Sequence, residues 1–231
     1  MKRLLLVSSS KVHGTGYLEH CEAEILTLLA EIQRVLFVPY ALFDRDAYTQ
    51  QARQRFREMG LELDSVHETD DPVEAVRKAE GIFIGGGNSF RLLDELQQHG
   101  LVSPIRERVE AGMPYLGTSA GSNVACPTIR TSNDMPIVEP DSFAALDLVP
   151  FQINPHYLDA DPDSTHQGET REQRLTEYLE ENDTPVVAIR EGGMVIVEGS
   201  ESRVEGATGG LLFEKGQSPR EILPGQRIDK I

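Results

Sequence analysis

The 231-residue sequence is poor in cysteine, in basic charge and in long apolar runs, and each shortage excludes something. Only Cys21 and Cys126 occur. They are too few and too far apart for the disulfide framework of a secreted domain or for a zinc-ligand set, so both are expected as reduced core thiols. Lys and Arg total 22 against 38 Asp and Glu, and the resulting formal charge of -16 repels phosphate backbones and anionic lipid. Nucleic-acid and membrane partners are therefore not expected. No apolar run approaches the roughly 20 residues of a membrane-spanning helix. Met1-Lys2-Arg3 imitates the start of a signal peptide, but the apolar run behind it stops at Val7 and gives way to Ser8-Ser9-Ser10, which reads as a buried strand. The cytoplasm is the expected location. Repeats, low-complexity tracts and linkers are also missing, so residues 1–231 are expected to form one domain.

What is present is an ordinary globular composition, 39% hydrophobic and 26% charged, which excludes a mostly disordered chain. Short apolar runs at 4–7, 35–38, 81–84 and 114–116 alternate with amphipathic patterns at 18–32, 46–59, 71–79, 92–100, 104–111 and 120–126. Such alternation predicts an α/β fold in which a mostly parallel, doubly wound sheet is flanked by helices. The weaker run at 61–66 is expected as an edge strand. Residues 128–150 show no period, and a stretch this long inside a domain is usually functional. Beyond them come a short strand at 151–153, a helix over 170–181 and strands near 186–189, 194–197 and 211–213, the last third reading as a small antiparallel part.

The sharpest local signal is Gly117-Thr118-Ser119-Ala120-Gly121, a G-x-S-x-G between an expected strand and an expected helix. Small residues on both sides let the chain turn tightly, so that Ser119 is held exposed on a strained backbone, as a nucleophile elbow requires. A tight structural turn is the competing explanation. A serine nucleophile needs an oxyanion hole, and Gly85-Gly86-Gly87 at the end of another parallel strand offers bare backbone donors on the same sheet edge. The candidates are the N–H groups of Gly87 and Ala120. No Lys-Ser/Thr follows the glycines, and the dinucleotide-binding spacing G-x-G-x-x-G is absent, so a nucleotide cofactor is not expected. For the general base, His156 follows a short strand where a catalytic loop should begin, with His13 and His166 next; His20 and His99 read as surface groups. Spacing does not choose the acid among Asp134, Asp159, Asp161, Glu169 and Glu191.

Six segments spread over nearly the whole chain carry a resemblance. They are Gly85-Gly86-Gly87-Asn88, Gly117 to Asn123, Cys126 to Thr131, Asn133 to Val138, Gln152 to His156 and Gly168 to Arg174. In content and order the set resembles the peptidase E family of alpha-aspartyl dipeptidases. The resemblance implies a serine peptidase on a class I glutamine amidotransferase-like, flavodoxin-like fold. It would hydrolyse dipeptides with an N-terminal aspartate through an acyl-enzyme, with no metal or cofactor. It assigns the nucleophile to Ser119, the base to His156, the acid to Glu191 with Asp134 as alternative, and the oxyanion donors to Gly87 and Ala120. The expected partner is a small Asp-X dipeptide, and the expected state is monomer or homodimer.

An anionic substrate entering an acidic protein needs a local cation. Arg171 is the first candidate, because a guanidinium fork suits a carboxylate and keeps its charge when desolvated. Arg130 and Asn88 are further candidates for substrate contact. The alternatives are a cyanophycinase-like hydrolase of beta-aspartyl dipeptides and a non-catalytic sensor of small ligands on the same fold.

Overall fold

The computed structural model describes residues 1–163, 165 and 167–228. In chain order the strands are β1 (Arg3–Val7), β2 (Arg34–Val38), β3 (Glu62–Ser65), β4 (Ile82–Ile84), β5 (Tyr115–Thr118), β6 (Gln152–Tyr157), β7 (Val186–Arg190), β8 (Gly193–Glu198), β9 (Glu201–Gly206), β10 (Gly210–Phe213) and β11 (Arg220–Ile222). The helices are α1 (Glu22–Leu28), α2 (Arg45–Glu58), α3 (Pro72–Lys78), α4 (Ser89–Gln98), α5 (Val102–Glu110), α6 (Ala120–Val124) and α7 (Arg171–Glu181).

Continuous apolar runs are the sequence form of strands buried on both faces, and they build the centre of a seven-stranded sheet in the order β3-β2-β4-β5-β1-β8-β9. The first five strands pair in parallel, and β8 and β9 continue the sheet antiparallel. Alternation along β1 shows how the sheet is covered. Leu4 and Leu6 pack with residues of α3, α4, α5 and α6, whereas Leu5 and Val7 pack with Ile25 of α1 and Tyr48, Ala52 and Phe56 of α2. This is the mostly parallel, helix-flanked α/β fold expected from the sequence, with β3 at the edge.

A second sheet, β11-β10-β7-β6, stands beside the first. Its strands β6 and β7 are parallel, and β7, β10 and β11 are antiparallel. Ile153, Val187 and Ile189 face the main core, while Tyr157, Val186 and Ala188 face Leu175 and Leu179 of α7. The small sheet is thus sandwiched between the body and one helix.

Three expectations change. The helix predicted over 18–32 shrinks to a single-turn 3-10 segment, Glu19–Cys21, and the seven-residue α1, because Leu18 turns left-handed at φ 57 and the chain tightens after Leu28. The strand predicted at 151–153 runs on through Pro155 and His156 to Tyr157, because a bulge between Asn154 and Tyr157 accommodates the proline that would otherwise break the ladder. β9 and β11, absent from the expectation, are polar and lie at sheet edges, where charged residues are tolerated on the open side. None of the described helices is long and apolar enough to cross a membrane.

Candidate active site

β5 runs directly into α6 through Ser119, whose φ of 51° and ψ of -109° lie in a region non-glycine residues avoid. Holding it there costs about 1–3 kcal/mol, which the surroundings must supply. They do so through hydrogen bonds on both sides of the turn. The Ser119 N–H donates to the Val7 carbonyl at 2.9 Å, and its own carbonyl accepts from the Ser122 and Asn123 N–H groups at 2.9 Å. The flanking glycines are needed for close packing. A Cβ on Gly117 would lie 2.6 Å from the Gly121 carbonyl oxygen, and one on Gly121 would collide with the Ile84 carbonyl. α6 is only five residues long, shorter than predicted, so its macrodipole adds little stabilisation of negative charge at Ser119.

The glycines after β4 lie against this turn. A Cβ on Gly86 would come within 3.1 Å of the Ser119 Cβ. Gly87 has φ 139°, and a Cβ there would sit 2.6 Å from the Ala41 carbonyl oxygen, so only glycine fits. Neither the Gly87 nor the Ala120 N–H donates to a protein acceptor among the described residues. One of these groups follows Gly86, which lies against the Ser119 turn, and the other directly follows Ser119, so both are candidates for an oxyanion hole. Asn88 closes the loop by capping α4, its side chain accepting from the Arg91 N–H at 3.0 Å and donating to the Met135 carbonyl at 2.8 Å.

His156 approaches from the small sheet. Its Nε2 lies 2.9 Å from the Ser119 Oγ, and its Nδ1 lies 2.9 Å from the Glu191 Oε1. An ionised carboxylate can only accept, so Nδ1 carries the proton and Nε2 is left as the acceptor for the serine hydroxyl. Glu191 occupies the two-residue connection between β7 and β8 with Gly192, at φ 83°, and its carbonyl accepts from the Thr208 hydroxyl at 2.7 Å. The His156 and Glu191 side chains are 39% and 56% exposed, so the pair contributes little stability and serves to orient the ring.

Asp134, the alternative acid, is engaged elsewhere. Its Oδ2 accepts from the Ser89 N–H and hydroxyl, both at 2.7 Å, and from the Ser132 hydroxyl at 3.1 Å. It ties the irregular 128–150 segment to the start of α4 and makes no hydrogen bond to His156 among the described residues. Arg171 opens α7, behind a capping box formed by Thr170 and Gln173. It is half-buried and has no hydrogen-bond or ion-pair partner among the described residues. Burial and the neighbouring Arg174 push its guanidinium below the ordinary range, and the Asp134 carboxylate opposes them. Arg130 instead packs over the Phe143 ring, 4.9 Å from its centroid, without contacting Ser119, His156 or Glu191.

The other histidines divide. His13 is exposed, and His166 lies outside the described residues. His99 stacks on Tyr40, and His67 bonds to Ser65 and Asp46. His20, expected at the surface, has both ring nitrogens buried without a partner; desolvation lowers its pKa, opposed by Glu24 and Glu191. Sequence reasoning also passed over Ser8, whose buried hydroxyl meets the His156 backbone. Its only sequence signal was its place at the end of β1. Among the described residues no group of three or more His, Cys, Asp or Glu side chains is arranged to hold a metal ion.

Residues 4–205 match peptidase family S51. The chain is 50% identical over 228 residues to a protein named Peptidase E from Streptomyces coelicolor, covering 99% of this chain and 94% of that one. It is 46% identical over 226 residues to a Drosophila melanogaster protein named "Probable alpha-aspartyl dipeptidase", covering 96% and 94%. In fold it is similar to the crystal structure of a peptidase from an acI-B1 Actinobacterium, with a TM-score of 0.72 at 21% identity over 99% of this chain and 96% of that one.

Proposed function

The chain belongs to peptidase family S51, and we propose that it is a serine dipeptidase that hydrolyses Asp-X dipeptides. The observation that carries this reading is the unbroken hydrogen-bonded line from the Ser119 Oγ through His156 to Glu191, both links at 2.9 Å. Along it, His156 Nε2 takes the hydroxyl proton as Ser119 attacks the carbonyl between aspartate and the second residue. The Gly87 and Ala120 N–H groups receive the oxyanion. His156, now an imidazolium stabilised by Glu191, gives its proton to the leaving amine. An aspartyl ester on Ser119 remains, and water activated by the same ring releases it.

Selection for aspartate rests on Arg171. The formal charge of -16 repels an anionic substrate at long range, but salt screens exposed charges beyond about 8–10 Å. A half-buried guanidinium without an ion-pair partner is available to a carboxylate at close range. Asn88, at the rim of the oxyanion loop, is the proposed second substrate contact, and Arg130 a peripheral one. The proposed setting is the cytoplasm, to which two buried free thiols are suited.

The test is a dipeptide panel. Asp-Leu is expected to be turned over and Asn-Leu to be poorer by about 10⁴-fold in kcat/KM, because the neutral isostere leaves Arg171 without its ion pair. Arg171→Met should erase most of that difference. Equal turnover of Asp-Leu and Asn-Leu by the wild type would overturn the role of Arg171, and hydrolysis of beta-linked Asp-Leu alone would replace the alpha-dipeptidase reading.

A further inference from the structure

Ser8, the first residue beyond β1, is completely buried where the two sheets meet. Its hydroxyl donates to the Ile189 carbonyl in β7 at 2.9 Å and accepts the His156 backbone N–H at 2.9 Å. Its own N–H donates to the Gly193 carbonyl at 3.1 Å. One residue earlier, the Val7 carbonyl accepts the Ser119 N–H at 2.9 Å and the Ser122 hydroxyl at 2.8 Å. Two consecutive residues therefore fix the backbone of Ser119 on one side and of His156 on the other. They also hold Ile189 and Gly193, which bracket the connection carrying Glu191.

His156 needs such a partner for two reasons. It has φ 53°, a left-handed value that non-glycine residues adopt uncommonly. It also falls inside the bulge between Asn154 and Tyr157, where the ladder with β7 is out of register. The Ser8 hydroxyl takes the N–H that the ladder leaves over, and by donating onward to Ile189 it does so with both its hydrogen-bonding capacities used.

We propose that Ser8 is a positioning residue, whose hydroxyl sets the left-handed backbone of His156 and so aims Nε2 at Ser119 and Nδ1 at Glu191. The proposal rests on the reading of Ser119, His156 and Glu191 as nucleophile, base and acid. Removing the hydroxyl leaves a buried N–H and a buried carbonyl unpaired and lets the strained backbone relax. A misplacement of about 1 Å at a reacting group costs on the order of a hundredfold in rate.

The experiment compares wild type with Ser8→Ala and Ser8→Cys. The cysteine variant nearly keeps the side-chain volume but substitutes a weak acceptor, and it supplies the answer where Ser8→Ala does not fold. Each protein is titrated to completion with a fluorophosphonate, and kcat and KM for Asp-Leu are measured per titrated site. The expected result is one label per chain in every protein, with kcat per site lowered about 10- to 100-fold in the variants and KM within about threefold. A merely structural role predicts instead a smaller labelled fraction whose sites turn over at the wild-type rate, and that result would overturn the proposal. Wild-type enzyme that hydrolyses Asp-Leu but takes no label on Ser119 would remove the underlying nucleophile reading as well.

Discussion

The two sheets supply different halves of the site, and they encode them differently. The large, mostly parallel sheet contributes Ser119 and the free N–H groups of Gly87 and Ala120, from two short motifs that follow β4 and β5. The small sheet contributes His156 from a bulged strand and Glu191 from the connection that leads back to the large sheet. The proposed nucleophile and oxyanion donors are set by local sterics: glycines where a Cβ would strike a neighbouring carbonyl, and a left-handed serine between them. The proposed base and acid depend on long-range register, and the backbone of His156 is bonded to a serine 148 positions earlier.

Two substitutions probe this contrast, in order of expected effect. Glu191→Gln keeps the shape of the small-sheet half but lets an amide donate to Nδ1, which favours the tautomer unable to accept from Ser119. The expected loss in kcat is about 10⁴-fold with the fold unchanged, measured by steady-state kinetics beside circular dichroism. A loss below tenfold would mean that the acid is not at Glu191. Gly87→Ala attacks the large-sheet half. With φ 139° and the Ala41 carbonyl 2.6 Å from the new Cβ, the loop must shift and carry its N–H away. The kcat for Asp-Leu should fall about 10²- to 10³-fold with some loss of Tm, and unchanged kinetics would remove Gly87 from the oxyanion hole.

The same contrast explains what was legible beforehand. The runs at Leu4 to Val7 and Val35 to Val38 announce buried parallel strands because burial on both faces removes the polar alternation. Ser119 and Gly87 announce themselves because their chemistry is local to a few residues. His156 was a leading candidate by position alone. Its acid was not separable by spacing, because Asp134 and Glu191 both lie in loops and only tertiary structure sends the first to Ser89 and the second to His156. Ser8 was invisible as a site residue, since nothing in a run of three serines says which hydroxyl will be buried against a strand far along the chain. The helix predicted over 18–32 failed for a related reason: its apolar spacing is met by a turn and a short helix that bury the same residues.

The central claim is that the Ser119 hydroxyl, activated by an imidazole held from the other sheet, becomes acylated by an aspartyl group. The most direct measurement is intact-mass and peptide mapping of enzyme quenched in acid during turnover of an aspartyl p-nitrophenyl ester, a substrate whose good leaving group makes deacylation the slow step. The account predicts one aspartyl group per chain on the peptide containing Ser119, and none in Ser119→Ala or His156→Ala. A burst of nitrophenol with no adduct, an adduct on another residue, or an unchanged adduct in His156→Ala would contradict it.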